Sequence, residues 1–183
     1  MIESFRPKFS PQAQPNSPVR TLTEIQKKHI NAEFEKHARG EGNDVDGAIA
    51  MLLMGRNEIL PAFLNYLMKA NVAVMVEDPK QMDSALVLKA EDGGPLFAVF
   101  TRNEHATPLI EKFPENRYLA WVDMKNLCQH VRGEIGLTIN PGHESFSYVF
   151  SPVQFAAFRK ACMKEAEIGP RPSGPPPLPP HAR

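Results

Sequence analysis

Apolar positions along this chain change their spacing several times, and each change marks an element. Between Thr21 and Arg39 they are sparse and fall at helical intervals, at Leu22, Ile25, Ile30 and Phe34. This predicts an N-terminal helix over 21–40, with Thr21 or Thr23 near the cap and Gly40 or Gly42 at the stop. Its apolar face is thin, so the helix is expected to pack loosely or on a partner. Asn43 or Asp44 can cap a short helix carrying Ala48, Ile49, Met51, Leu52 and Leu53. Gly55-Arg56-Asn57 then turns into a second helix with Ile59, Phe63, Leu64 and Leu67. Its first turn tolerates Pro61 because the lost donor has no partner there.

From residue 72 the pattern changes to short apolar runs between turn residues. Val72–Val76 reads as a strand closed by Asp78-Pro79. Ala85–Leu88 and Leu96–Phe100 flank Glu91-Asp92-Gly93-Gly94, a hairpin turn between antiparallel strands. Asn103 to Phe113 is expected to be irregular with a helical turn. Tyr118–Val122 predicts a strand, and Asp123 can cap a helix through Val131. Glu134–Ile139 and Phe146–Phe150 predict two more strands. Ser151-Pro152-Val153-Gln154 is a capping box with Pro at the first helical position, opening a last helix that ends near Gly169. Strands and helices mix without regular alternation. The expected class is therefore α+β, with an antiparallel or mixed sheet of five to six strands packed with helices, rather than a doubly wound fold.

Composition bounds the function. The 183 residues suit one domain, and 42% hydrophobic with 23% charged content describes a globular middle. Lys plus Arg and Asp plus Glu balance at 21 each, which removes the electrostatic argument for nucleic acid. Of 18 prolines, four lie in residues 1–20 and seven in 169–183. Both ends are thus expected to be disordered, the second favouring polyproline II. The N-terminus has no apolar signal segment, and no apolar stretch is long enough to span a bilayer. Cys128 and Cys162 form no metal or redox motif, and Cys162 is expected in the core. His29, Glu33 and His37 fall on one helix face but lack a second coordinating element, so neither a metal nor a cofactor is expected.

Two blocks carry more information: Leu96-Phe-Ala-Val-Phe-Thr-Arg102 and Gly136-Leu-Thr-Ile-Asn-Pro-Gly142. Each is an apolar strand ending abruptly in a polar turn. In this order they resemble the two blocks that mark the N-terminal domain of the enhanced serine sensitivity protein (SseB) family of bacteria, over about Ala48 to Arg159. The resemblance implies a folded domain at 44–167, a cytoplasmic location and a link to serine sensitivity, hence to amino-acid homeostasis. Full-length members usually carry a second, C-terminal domain, whereas a proline tail follows here.

Asn140-Pro141-Gly142 fits a type II turn, with Pro fixing φ at the second position and Gly supplying positive φ at the third. Asn140 is expected to accept from the turn's own backbone. The turn and the end of the Phe100-Thr101-Arg102 strand are expected to share one rim and present exposed polar groups. The candidate binding residues are Thr101, Arg102, His105, Asn140, Pro141, Gly142 and His143. No nucleophile, metal or phosphate signature accompanies them, so catalysis is not expected. The favoured reading is a non-catalytic interaction or regulatory module for an unidentified protein partner or a second copy, with neither nucleic acid nor membrane. The alternative is a sensor or enzyme for an amino-acid-like carboxylate, held by Arg102 with His105 or His143 nearby.

Overall fold

Side-chain caps set four helix starts, the last of them the reciprocal box of Ser151 and Gln154 ahead of Pro152–Ile168. Thr23 and Gln26 close a reciprocal capping box at the start of α1 (Glu24–Ala38). Asn43 accepts from the amides of Val45 and Asp46 at the start of α2 (Asp44–Leu53). Asp123 accepts from Lys125 and Asn126 at the start of α5 (Met124–His130). The computed structural model describes residues 21–81 and 84–168, and the arm 1–20 and tail 169–183 lie outside them. Between these helices run a 3-10 turn (Asn57–Ile59), α3 (Leu60–Lys69), β1 (Asn71–Val76), β2 (Val87–Lys89), β3 (Pro95–Val99), α4 (Asn103–Lys112), a 3-10 turn (Pro114–Asn116) and β4 (Tyr118–Asp123). After α5 come β5 (Gly136–Ile139), β6 (Tyr148–Phe150) and α6 (Pro152–Ile168). The architecture is α+β.

The six strands form a four-stranded sheet ordered β2-β3-β5-β6 and a two-stranded β1-β4 sheet. All pairs are antiparallel except β3-β5, which is parallel with Val99 opposite Ile139. Antiparallel bridges Ala73–Phe100 and Val76–Ala85 join the two sheets. Gly136 sits where β3 and β6 converge: a Cβ there would lie 2.6 Å from both Leu96 and the Phe150 carbonyl.

Both faces of β1 are covered, which explains its unbroken apolar run. Val72, Val74 and Val76 enter a core with Phe63, Leu67, Met124, Leu137 and Phe155. Ala73 and Met75 enter a second core with Leu96, Phe100, Ala106 and Leu109. Cys128 and Cys162 are both buried in the first. Their hydrogen bond, with burial, pushes the Cys128 thiol far above its ordinary value.

Two expectations are corrected. The segment after Thr101 is a regular ten-residue helix, α4, despite the internal Pro108. Burial of Ala106 and Leu109 against the second core outweighs the one lost backbone bond. α1, expected to be loose or partner-bound, instead docks on its own domain: Ile30 packs with Ala50 and Phe146.

Candidate functional site

Parallel pairing of β3 and β5 ends both strands on the same side, and the two sequence blocks meet there. Thr101 leaves β3 next to Asn140 leaving β5, so the shared rim exists. Its character differs from expectation: Thr101, His105 and Asn140 are buried, and Asn140 is 0% exposed. Pro141 is also buried, Gly142 is exposed, and His143 and Arg102 are partly buried.

Asn140 does not serve its own turn through its side chain. The turn closes through the backbone, from the His143 amide to the Asn140 carbonyl at 3.1 Å. Asn140 itself takes φ of 47°, which Asn tolerates better than most residues, and Gly142 takes 84°. The Asn140 side chain turns inward instead. Its Oδ1 accepts from the Thr101 amide (2.9 Å), and its Nδ2 donates to the Phe146 carbonyl (3.1 Å) and to Asp46 Oδ1 (3.1 Å). A backbone donor on one side and a backbone acceptor on the other fix the orientation of the amide.

Asp46, in the first turn of α2, is the hub of the network and is fully buried. It accepts from the Thr101 hydroxyl at 2.6 Å and from Arg102 Nε at 3.0 Å. Arg102 Nη2 also donates to both oxygens of Glu33 on α1, at 2.7 and 2.9 Å. Glu33 in turn accepts from the Asn43 amide at 2.7 Å. One guanidinium thus bridges two buried carboxylates, and the α2 N-terminus and surrounding donors carry the excess negative charge. Burial pushes the Asp46 carboxyl above its ordinary range, opposed by His105, Thr101 and Arg102.

The histidines form a second layer. Since the Thr101 hydroxyl gives its proton to Asp46, it accepts from His105 Nδ1 at 3.0 Å, placing the His105 proton on Nδ1. His143 meets His105 edge-on and packs at a tilt against His29 and Phe146, with ring centroids 4.6, 5.3 and 4.9 Å apart. Its Nδ1 accepts from the amides of Ser145 and Phe146. Burial lowers the pKa of His105. Burial, then His105 and His29, lowers that of His143 to about 3.

A pH dependence follows. The unfolded His143 takes up a proton near its ordinary 6.5, the folded one only near 3. Between these values the unfolded chain holds more protons, so stability is full above about 6.5 and falls as the pH drops. His105 acts in the same direction, while the raised Asp46 carboxyl offsets part of the loss at the acid end. His143→Asn keeps an acceptor for the two amides but removes the titration. Urea midpoints at pH 7 and pH 5 should differ less for this variant than for the native chain.

The arrangement does not form a nucleophilic site. The Thr101 hydroxyl donates to a carboxylate rather than to a basic imidazole nitrogen, and it is sealed from solvent. Arg102 is also engaged, its Nε and Nη2 filled from within. Of the residues on the face of α1, His29 turns to Ser145, while Glu33 and His37 stay 3.6 Å apart, Glu33 held by Arg102 and His37 by the Asn43 carbonyl. Sequence reasoning missed Asp46 and the role of Glu33. Asp46 carried a signal, an acid set within Val45 and Gly47-Ala48-Ile49-Ala50, where a solvated charge is out of place. Glu33 stood out only beside His29 and His37, and nothing local marked it as the partner of Arg102.

A concavity of about 510 Å³ lies elsewhere, lined by Val87, Phe97, Leu127, Val131 and Ile135 together with His130 and Arg132. No helix among the described residues is long and apolar enough to cross a membrane. Residues 45–156 match the family model described as the SseB protein N-terminal domain. That match contains Asp46, Thr101, Arg102, His105 and Asn140, and α1 with Glu33 precedes it. No curated protein and no solved structure matches the chain.

Proposed function

From the premise that this chain belongs to the family of the SseB protein N-terminal domain, we propose that it is a non-catalytic protein-interaction module acting in the cytoplasm, within amino-acid homeostasis. The observation that carries the reading is the state of Arg102. Its guanidinium, the group best suited to a ligand carboxylate, is already held by Glu33 and Asp46 at 2.7–3.0 Å. A free amino acid would have to displace a covalently tethered carboxylate, which competes at high effective concentration. The rim then acts as a lock that rigidifies the domain, while contact surface lies elsewhere.

The apolar groove supports this assignment, because Val87 on its wall is 42% exposed. Cys128 and Cys162 are both buried as thiols rather than as a disulfide, which suits a reducing compartment. Within the same reading, 44–167 is the family domain and α1 is docked on it.

The test pairs two measurements on the full chain. Val87→Glu places a charge in the groove at an exposed position, so it should leave the melting temperature nearly unchanged. A partner recovered quantitatively from the host with the native chain should be lost with this variant and kept with Glu104→Ala, at the exposed edge of the rim. A thermal-shift series with serine and other amino acids should give no stabilisation. Saturable stabilisation by an amino acid, abolished in Arg102→Lys, would replace the interaction reading with a sensor.

A further inference from the structure

Arg132 differs from the other arginines in having no partner. Arg39 and Arg56 are each held by a nearby glutamate, and Arg102 by two buried acids. Arg117 lies on the Tyr118 ring, and Arg159 donates to backbone carbonyls. Arg132 alone of the described arginines makes no ion pair, hydrogen bond or ring contact. It is exposed in the turn after α5, on the wall of the apolar concavity.

The same concavity gathers further positive charge. His130 lines it beside Arg132, and no acid does. Strand alternation sets Lys89 on the same face of β2 as Val87, while Leu88 between them enters the second core. Lys89 is exposed and pairs with no carboxylate among the described residues. His130 Nδ1 donates to the Asn126 carbonyl at 2.7 Å and leaves Nε2 uncommitted. That bond also covers one of the carbonyls at the end of α5, which would otherwise repel an anion there.

We propose that the concavity holds a short acidic segment of a partner protein. An apolar side chain of the segment sits on Val87, Phe97 and Leu127, and its carboxylates meet Arg132 and Lys89. The inference rests on the protein-interaction reading above and adds the chemistry of the partner. Apolar walls with a few placed polar groups suit a bound group that is itself apolar with a charged end. The sign of that charge follows from Arg132, whose guanidinium pairs bidentately with a carboxylate. A basic or neutral segment would cover this guanidinium without giving it an acceptor. Charge also excludes the chain's own ends as occupants. Residues 1–20 hold one acid, Glu3, against Arg6, Lys8 and Arg20, and residues 169–183 hold no acid.

The test is a selection of phage-displayed random peptides on the full chain, followed by fluorescence titration of the selected peptides made synthetically. Their sequences should place Asp or Glu within a few residues of Leu, Ile or Phe. The dissociation constant should rise about tenfold with Arg132→Glu and with Lys89→Glu, because each sets like charges together. Arg39→Glu makes the same change of net charge on α1 and should leave binding nearly unchanged. Raised salt should weaken the native complex more than the Arg132→Glu complex. Selected peptides that lack acids, or that bind Arg132→Glu as tightly as the native chain, would overturn the acidic partner. The interaction reading would survive that result if Val87→Glu still abolished their binding. Failure to select any peptide that Val87→Glu abolishes would overturn both, and a saturable thermal shift with decanoate would then assign the concavity to a small amphiphilic acid.

Discussion

Arg102→Met should cost about 3–5 kcal/mol of folding stability, read as a lowered urea midpoint at an unchanged slope. The native arginine contributes one charge between two carboxylates that are almost fully buried, Glu33 and Asp46. Methionine fills a similar volume but leaves both acids desolvated without their cation. The cost comes from that uncompensated burial rather than from the worth of the pair itself, which well-packed apolar residues can match. Adding Glu33→Gln to the variant should therefore restore part of the loss. Lowering the pH should also narrow the gap between variant and native chain, because protonation of Asp46, whose carboxyl burial already pushes up, neutralises a stranded acid. A loss below about 1 kcal/mol would mean that the bridge behaves as a solvent-screened surface pair.

Asn140→Ala should cost about 3–4 kcal/mol by the same measurement, for two separable reasons. The Thr101 amide and the Phe146 carbonyl lose their partner in a fully buried setting. Alanine must also hold φ of 47°, where its Cβ crowds the following carbonyl. Asn140→Gly removes the same hydrogen bonds without that crowding, so it should be less damaging by about 1 kcal/mol. Equal losses for the two variants would assign the whole effect to hydrogen bonding. Asn140 and Arg102 both hold Asp46, so the double variant should lose less than the sum of the single losses.

These two residues also mark the limit of what was legible beforehand. The Asn-Pro-Gly turn and the Phe-Thr-Arg strand end were visible as local patterns, because a turn's φ requirements and a strand's apolar run are written in adjacent residues. That both strands leave the sheet side by side was also anticipated. The acid joining them was not: Asp46 lies 55 residues before Thr101 and 94 before Asn140, and its apolar neighbours hint at burial without saying which groups it meets. The helix after Thr101 was hidden by Pro108, a local breaker overridden by burial of Ala106 and Leu109.

The sequence by itself determined the α+β class, most element positions and the hairpin at Gly93-Gly94, since caps, turns and periodicity act over a few residues; the family showed in the resemblance of its two strand-end blocks. Only the tertiary structure decided that the polar rim is sealed rather than open. Burial depends on what other elements bring to a place. Here α1 delivers Glu33 from 69 residues away and α2 delivers Asp46 from 56, turning Arg102 from an exposed recognition group into an internal brace.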